Sequence, residues 1–208
     1  MSAHQQVQRV AVRPHTNKQR LARLVTEVLA PAPTVAGLLL AVAWRSTPTA
    51  AEAVKWGLLA SLFASVIPFL FILRGVMRRR LTDHHVRLRE QRPIPLLVGA
   101  ASVLIGLGLL VWWGAPRELV ALVAAMLVGL VTSMLVTLFW KLSIHTAVSA
   151  GALVILVLVF GRGFFALTPL VGLVGWARVA SGDHDVGQVF AGAALGSTVA
   201  GAVFSLLR

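Results

Sequence analysis

The chain has no cysteine, only seven acidic residues in 208, and just 12% charged residues. Without cysteine there are no disulfides, no thiolate nucleophile and no Cys-ligated zinc, and the redox compartment stays open. The scarcity of charge excludes an ordinary soluble domain, in which about 25% of residues are charged. Against these shortages stand 58% hydrophobic residues. Water alone is not the solvent of this protein.

The apolar residues gather in runs of roughly 16–24, the length that carries a helix across about 30 Å of hydrocarbon. The runs fall at 28–44, 53–73, 95–113, 118–140, 146–160, 165–178 and 187–207. This pattern predicts an all-α, polytopic transmembrane helical bundle of six to seven spans in one domain, residues 28–208, preceded by a basic tail, residues 1–27. Pro31 and Pro33 weaken the first run and the fifth and sixth are short, so six spans with a tilted or re-entrant piece is the alternative. The tail, with His4, Arg9, Arg13, Lys18, Arg20 and Arg23, has no small-residue cleavage site and does not read as a signal peptide. In the last run, Gly192-xxx-Gly196 and Ser197-xxx-Gly201 are small residues that let helices approach closely.

The net charge of +12 raises the question of nucleic acid. The cations sit in loops, neither on amphipathic faces nor interleaved with aromatic residues, which favours anionic lipid headgroups and phosphate over nucleic acid. The lipid bilayer is the expected partner, and the oligomeric state is not encoded legibly. Seven crossings place the tail, the 74–92 loop and the 141–145 and 178–185 turns on one side, with fourteen Lys/Arg against five on the other. The rule that positive loops stay inside makes that side cytoplasmic, in a cell membrane.

Four of the six histidines, His84, His85, His145 and His184, lie in turns of that same side. One histidine in a loop is usually only a polar loop residue, but several ionisable groups converging at span ends suggest a site. Between Ala177 and Gln188, Ser181-Gly182 breaks one apolar run and another starts after His184. His184 therefore stands at a helix N-terminus, which favours anions, with Gln188 one turn on and Arg178 across the corner. Lys141, Ser143 and His145 form a similar helix start, with a cation, a hydroxyl and an acid or base. The segment Asp83 to Pro93, with His84, His85, Arg87, Arg89, Glu90 and Arg92, reads equally well as a basic juxtamembrane loop.

In order, these three segments resemble the type 2 phosphatidic acid phosphatase superfamily of membrane lipid phosphatases. That family's motifs are Lys, six residues, Arg-Pro; then Pro-Ser-Gly-His; then Ser-Arg, five residues, His, three residues, Asp. Here His85 is followed after six residues by Arg92-Pro93; Leu142-Ser143-Ile144-His145 keeps Ser and His; and Ala177-Arg178, five residues, His184, three residues, Gln188 keeps Arg and His. The resemblance runs from about Asp83 to Leu207. It implies His184 as the nucleophile that forms a phosphohistidine, His145 as the acid that protonates the leaving group, and Arg92, Arg178 and Ser143 as binders of the equatorial oxygens.

Phosphoryl transfer is mostly positioning and charge stabilisation, supplied in this family by fixed cations, so no metal or cofactor enters the reading. The departures are Gln188, which can fix the tautomer of His184 but not stabilise its imidazolium; His85, a cation only at low pH; and Ala177. Asp183 or Asp185 is the candidate for the missing charge, and Lys141 for the missing lysine. The expected function is metal-independent hydrolysis of an amphiphilic lipid phosphate or prenyl diphosphate. The alternatives are a prenyl-diphosphate cyclase or transferase using the same pocket, which lacks the usual Asp-rich Mg²⁺ motif, and a non-catalytic binder of anionic lipid. Either way His145, Arg178 and His184 should converge, with Arg92 joining from the loop before the third run.

Overall fold

The computed structural model describes residues 16–208; the first part of the basic tail, including His4, Arg9 and Arg13, lies outside them. Among the described residues the chain is all helical, with six helices long and apolar enough to cross a membrane and a shorter apolar one at Ile144–Phe160. It is an integral membrane protein. Leu104, Ile105, Val111, Phe139 and Phe190 stay exposed on its flanks, as expected where the surrounding solvent is hydrocarbon.

The rear half of the expected tail is helix α1, Asn17–Val28. Thr16 and Gln19 close a capping box at its start: the Gln19 amide donates to Thr16 Oγ1 at 3.3 Å and the Thr16 amide to Gln19 Oε1 at 3.2 Å. Its buried Ala22 and Val25 pack with Ala177, Trp176 and Ala180, so it lies on a later helix and not free in solvent. Helix α2, Pro31–Ser46, begins on the prolines that weaken the first apolar run. At the first turn a missing N–H costs nothing, so Pro31 and Pro33 start the helix and do not break it.

Helix α3, Ala50–Met77, holds a π turn at Leu62–Val66 just before Pro68. Pro68 has no N–H, and the Ile67 amide is taken by Leu62 O, which leaves the Phe63 carbonyl over; Ser102 Oγ donates to it at 2.7 Å. Helices α4, Pro93–Trp112, and α5, Arg117–Phe139, form the next hairpin. Helix α6, Ile144–Phe160, is followed by a 3₁₀ turn, Arg162–Leu167, that extends α7, Thr168–Ala180. Helix α8, Val186–Leu207, ends the chain.

With 17 residues α6 spans about 26 Å, short of a full crossing. It is enclosed by the other helices, with Ala147, Ala150, Ala152 and Ile155 buried, and its tightest partner is α8. A Cβ on Gly192 would run into Ser143 O and one on Gly196 into Ala147 O, so these glycines let the two backbones touch. Because His145 opens α6 and His184 precedes α8, this contact sets the spacing of the two histidine-bearing turns.

The two ends of the bundle differ. At one, Arg117 Nε donates to Leu207 O at 2.8 Å, an Arg208 guanidinium nitrogen to Leu158 O at 2.9 Å, and Ser46 Oγ to Glu118 at 2.9 Å. The other end gathers His84, His85, His145 and His184, with Arg92, Lys141 and the α7–α8 corner.

Candidate functional site

The α7–α8 corner is shaped by Gly182, at φ 71°, which lets the chain reverse. The amides of Asp183 and His184 both return to Arg178 O, at 3.1 and 3.3 Å. Asp185 then caps α8, its Oδ1 accepting from the Gln188 amide at 2.8 Å. One turn further, the Gln188 side chain comes back to His184: Oε1 stands 2.8 Å from Nδ1. An amide oxygen there makes Nδ1 the protonated nitrogen and leaves Nε2 with a free lone pair.

That Nε2 lies 3.5 Å from an Arg92 guanidinium nitrogen. Arg92 is buried and is fixed by two carbonyls, Nε donating to Val86 O at 2.9 Å and NH1 to Leu142 O at 3.0 Å. The second and third segments are joined here as well, since the Ser143 amide donates to Gln188 O at 3.1 Å and Lys141 Nζ to Asp183 O at 2.6 Å. Ser143 is fully buried as the N-cap of α6, where its Oγ accepts from the Thr146 amide.

Arg178 is 0% exposed and stands in ion-pair range of Asp183, 3.1 Å from NH1 to Oδ2. Neither its Nε nor its NH1 makes a hydrogen bond among the described residues. An unmet buried donor costs about 1–3 kcal/mol, and more when it is charged. His145, also buried, has an unpartnered Nε2 and lies within electrostatic reach of Arg178, His85, His184 and Arg92. A buried group of cations and imidazoles with spare donors has the chemistry to bind an anion.

Two sequence expectations meet a different arrangement. Asp183 faces Arg178 and also Arg87, 3.3 Å from its Nε, while Asp185 is spent on the helix cap; among the described residues the partner on His184 Nδ1 is Gln188. His85, expected to bind phosphate in the lysine place, turns its Nε2 to Glu27 Oε1 at 3.0 Å. His84 Nε2 approaches the same carboxylate at 3.1 Å. Glu27 escapes sequence reasoning because it lies 57 and 58 residues from its partners. The available signal is that it is the single acid in the first 51 residues.

Burial drives the charges of this pocket. It lowers the pKa of His184 to about 3, with Arg92, Arg178 and Lys141 adding to the effect and the Gln188 bond opposing it. Burial, together with Arg92, also lowers Lys141. His85 is lowered by burial and by His84, against Glu27. His184 is therefore a neutral base at physiological pH, the form that can attack.

Beside this pocket a cavity of about 630 Å³ runs into the bundle, a ligand-sized space. Glu27, His84, His85, Arg92 and His145 line one part of it; Leu38, Phe69, Val103, Leu130, Ile155 and Val199 line the rest. His184, Arg178, Ser143 and Lys141 are not in its wall. Arg92 belongs to both, touching His184 on one side and the cavity on the other. Along α6 the wall runs from His145 to Ile155, about 15 Å of helix. Comparison of the chain with family models, curated proteins and solved structures finds no match.

Proposed function

We propose that this protein hydrolyses an amphiphilic phosphate or diphosphate ester at His184, as the resemblance of its three motifs to the type 2 phosphatidic acid phosphatases implies. The observation that carries the reading is His184 itself: a buried imidazole with Nδ1 held by Gln188 and Nε2 beside the Arg92 guanidinium, where burial favours the neutral form. The apolar cavity reached through Arg92 and His145 supports a lipid substrate.

In this mechanism the phosphoryl group sits between Arg92 and Arg178; the unpartnered Nε and NH1 of Arg178 bind its non-reacting oxygens, and Arg92 adds a fixed positive charge beside His184. His184 Nε2 attacks phosphorus and the bond to the leaving oxygen breaks. His145 Nε2, which takes up a proton once the negative charge of the substrate lies beside it, gives that proton to the leaving oxygen, releasing an alcohol or, from a diphosphate, a lipid monophosphate. Water then attacks the phosphohistidine, His145 takes its proton, and phosphate leaves with His184 restored. General acid–base help of this kind contributes about 10²–10⁴-fold. The fixed guanidinium groups supply the charge stabilisation at phosphorus.

The sequence count of fourteen Lys/Arg in the tail and the histidine-bearing turns against five elsewhere supports a cytosolic histidine face. The substrates in reach are then lipids of the inner leaflet or prenyl diphosphates arriving from soluble synthases. The test is purified protein against a panel of lipid phosphates and diphosphates, with vanadate as a mimic of the trigonal-bipyramidal phosphorus. Release of phosphate with vanadate inhibition far stronger than sulfate inhibition is expected. Release of diphosphate with a rearranged carbon skeleton means the cyclase or transferase reading, and binding without turnover means a lipid-binding relative.

A further inference from the structure

We propose that Glu27, His84 and His85 form a binding site for a zinc-class divalent ion at the cavity. The three offer one carboxylate oxygen and two imidazole nitrogens that all lie within 4.8 Å of one another. Both Nε2 atoms already stand 3.0–3.2 Å from Glu27 oxygens. A tetrahedral ion with bonds of about 2.0–2.1 Å holds its ligand atoms about 3.3 Å apart, so the set needs only small adjustments to close on one.

Consecutive side chains usually diverge, yet here both rings turn to the same carboxylate, with centroids 4.1 Å apart. The loop is shaped for this. Asp83 Oδ1 takes the His85 amide at 2.8 Å, and Val86 adopts φ 46°, a left-handed conformation that β-branched residues avoid. Two imidazoles and one carboxylate suit Zn²⁺ or Co²⁺ better than Mg²⁺ or Ca²⁺, which prefer all-oxygen shells.

Three protein ligands leave a fourth position, and all three line the cavity along with Arg92 and His145. Water or an anionic oxygen completes the shell there. Since one carboxylate does not neutralise a divalent ion, an anion is the better fourth ligand. The ion also cross-links α1 to the 81–92 loop, and α1 is docked on α7 through Ala22, Val25 and Ala177. The site thus ties three chain segments at the histidine end of the bundle. It adjoins the His184 chemistry, sharing the cavity wall with Arg92 and His145, but its ligands are distinct from His184 and it stands whether or not the protein is a phosphatase.

The experiment is titration of tag-free, full-length protein in detergent with Zn²⁺ alone by calorimetry, and with Co²⁺ followed by its visible spectrum. Wild type should bind the ion at this site with a tetrahedral Co²⁺ spectrum, and Zn²⁺ should raise its melting temperature. Losing a group that merely hydrogen-bonds a metal ligand weakens metal sites by about 10–100-fold, so losing a ligand itself in Glu27→Gln or His84→Asn should weaken binding by at least about tenfold and abolish the thermal shift. Glu27→Gln is near-isosteric on a half-exposed side chain, which keeps the test alive should His84→Asn fail to fold. His184→Asn should lose turnover and keep the ion, so the two readings fail separately. Equal affinity and an unchanged Co²⁺ spectrum in wild type and Glu27→Gln would overturn the site.

Discussion

Gln188 is where the chain departs most from the motif it resembles, and replacing it tests what that position does. Gln188→Glu is isosteric, so a carboxylate oxygen takes the place of Oε1, 2.8 Å from His184 Nδ1. Opposite charges about 4 Å apart attract by about 4 kcal/mol at an effective dielectric of about 20. That is about 3 pKa units, enough to lift His184 from about 3 to about 6. The raised group is protonated as pH falls through 6, so the variant should acquire an acid limb near pH 6 that wild type lacks. Above it the nucleophile is still neutral, and the imidazolium formed at the transition state is stabilised, so kcat at pH 8 should rise. Gln188→Leu removes the hold on the tautomer, and the serine-protease Asp→Asn case sets the scale of loss at up to about 10⁴. The assay is kcat against pH for a short-chain prenyl diphosphate, with histidine ¹⁵N shifts for the free protein. Wild-type rates and profiles in both variants would refute the reasoning.

Gly196→Ala should destabilise the bundle by about 1–3 kcal/mol or more, because its Cβ meets Ala147 backbone atoms; Gly172→Ala, with open space around it, should be neutral or stabilising in the same detergent melts. Arg178→Ala should destabilise the fold, by less than the about 3–5 kcal/mol of a fully stranded buried charge, because Asp183 loses one cation and keeps Arg87. Arg178→Lys keeps the charge without the guanidinium fork and should weaken vanadate binding while folding persists, read by calorimetry and melting together. For sidedness, a fluorescent-protein fusion after Arg80 should glow and an alkaline phosphatase fusion there should be inactive; active phosphatase puts the pocket outside and favours carrier lipids recycled there.

Most of the fold was legible because membrane spans announce themselves by length and apolarity alone. Five of the expected runs differ from helices α2 and α4–α6 and α8 by a few residues at their ends. The prolines were misleading only because their position relative to the helix start is invisible in composition: Pro31 at the first turn begins α2. Helix α1 reads as tail in the sequence because its mixed basic and apolar residues gain stability from docking on Trp176 and Ala177, contacts no local pattern reports.

In the site, the pairing of His184 with Gln188 was readable from four-residue spacing on a helix. The roles of Asp183 and Asp185 were not, since one corner offers each acid several partners and only the fold chooses between Arg178 and the α8 cap. Glu27 with His84 and His85 joins elements far apart in sequence, and no local motif encodes it.

In the proposed mechanism His184 is the group that takes the phosphoryl. The most direct measurement is rapid-quench mixing of purified protein with a ³²P-labelled lipid diphosphate, followed by peptide mapping. The expected result is an acid-labile, base-stable label on the peptide containing His184, formed and lost at rates compatible with turnover and absent from His184→Asn. Turnover that persists in His184→Asn, or label that maps to another residue, would contradict it.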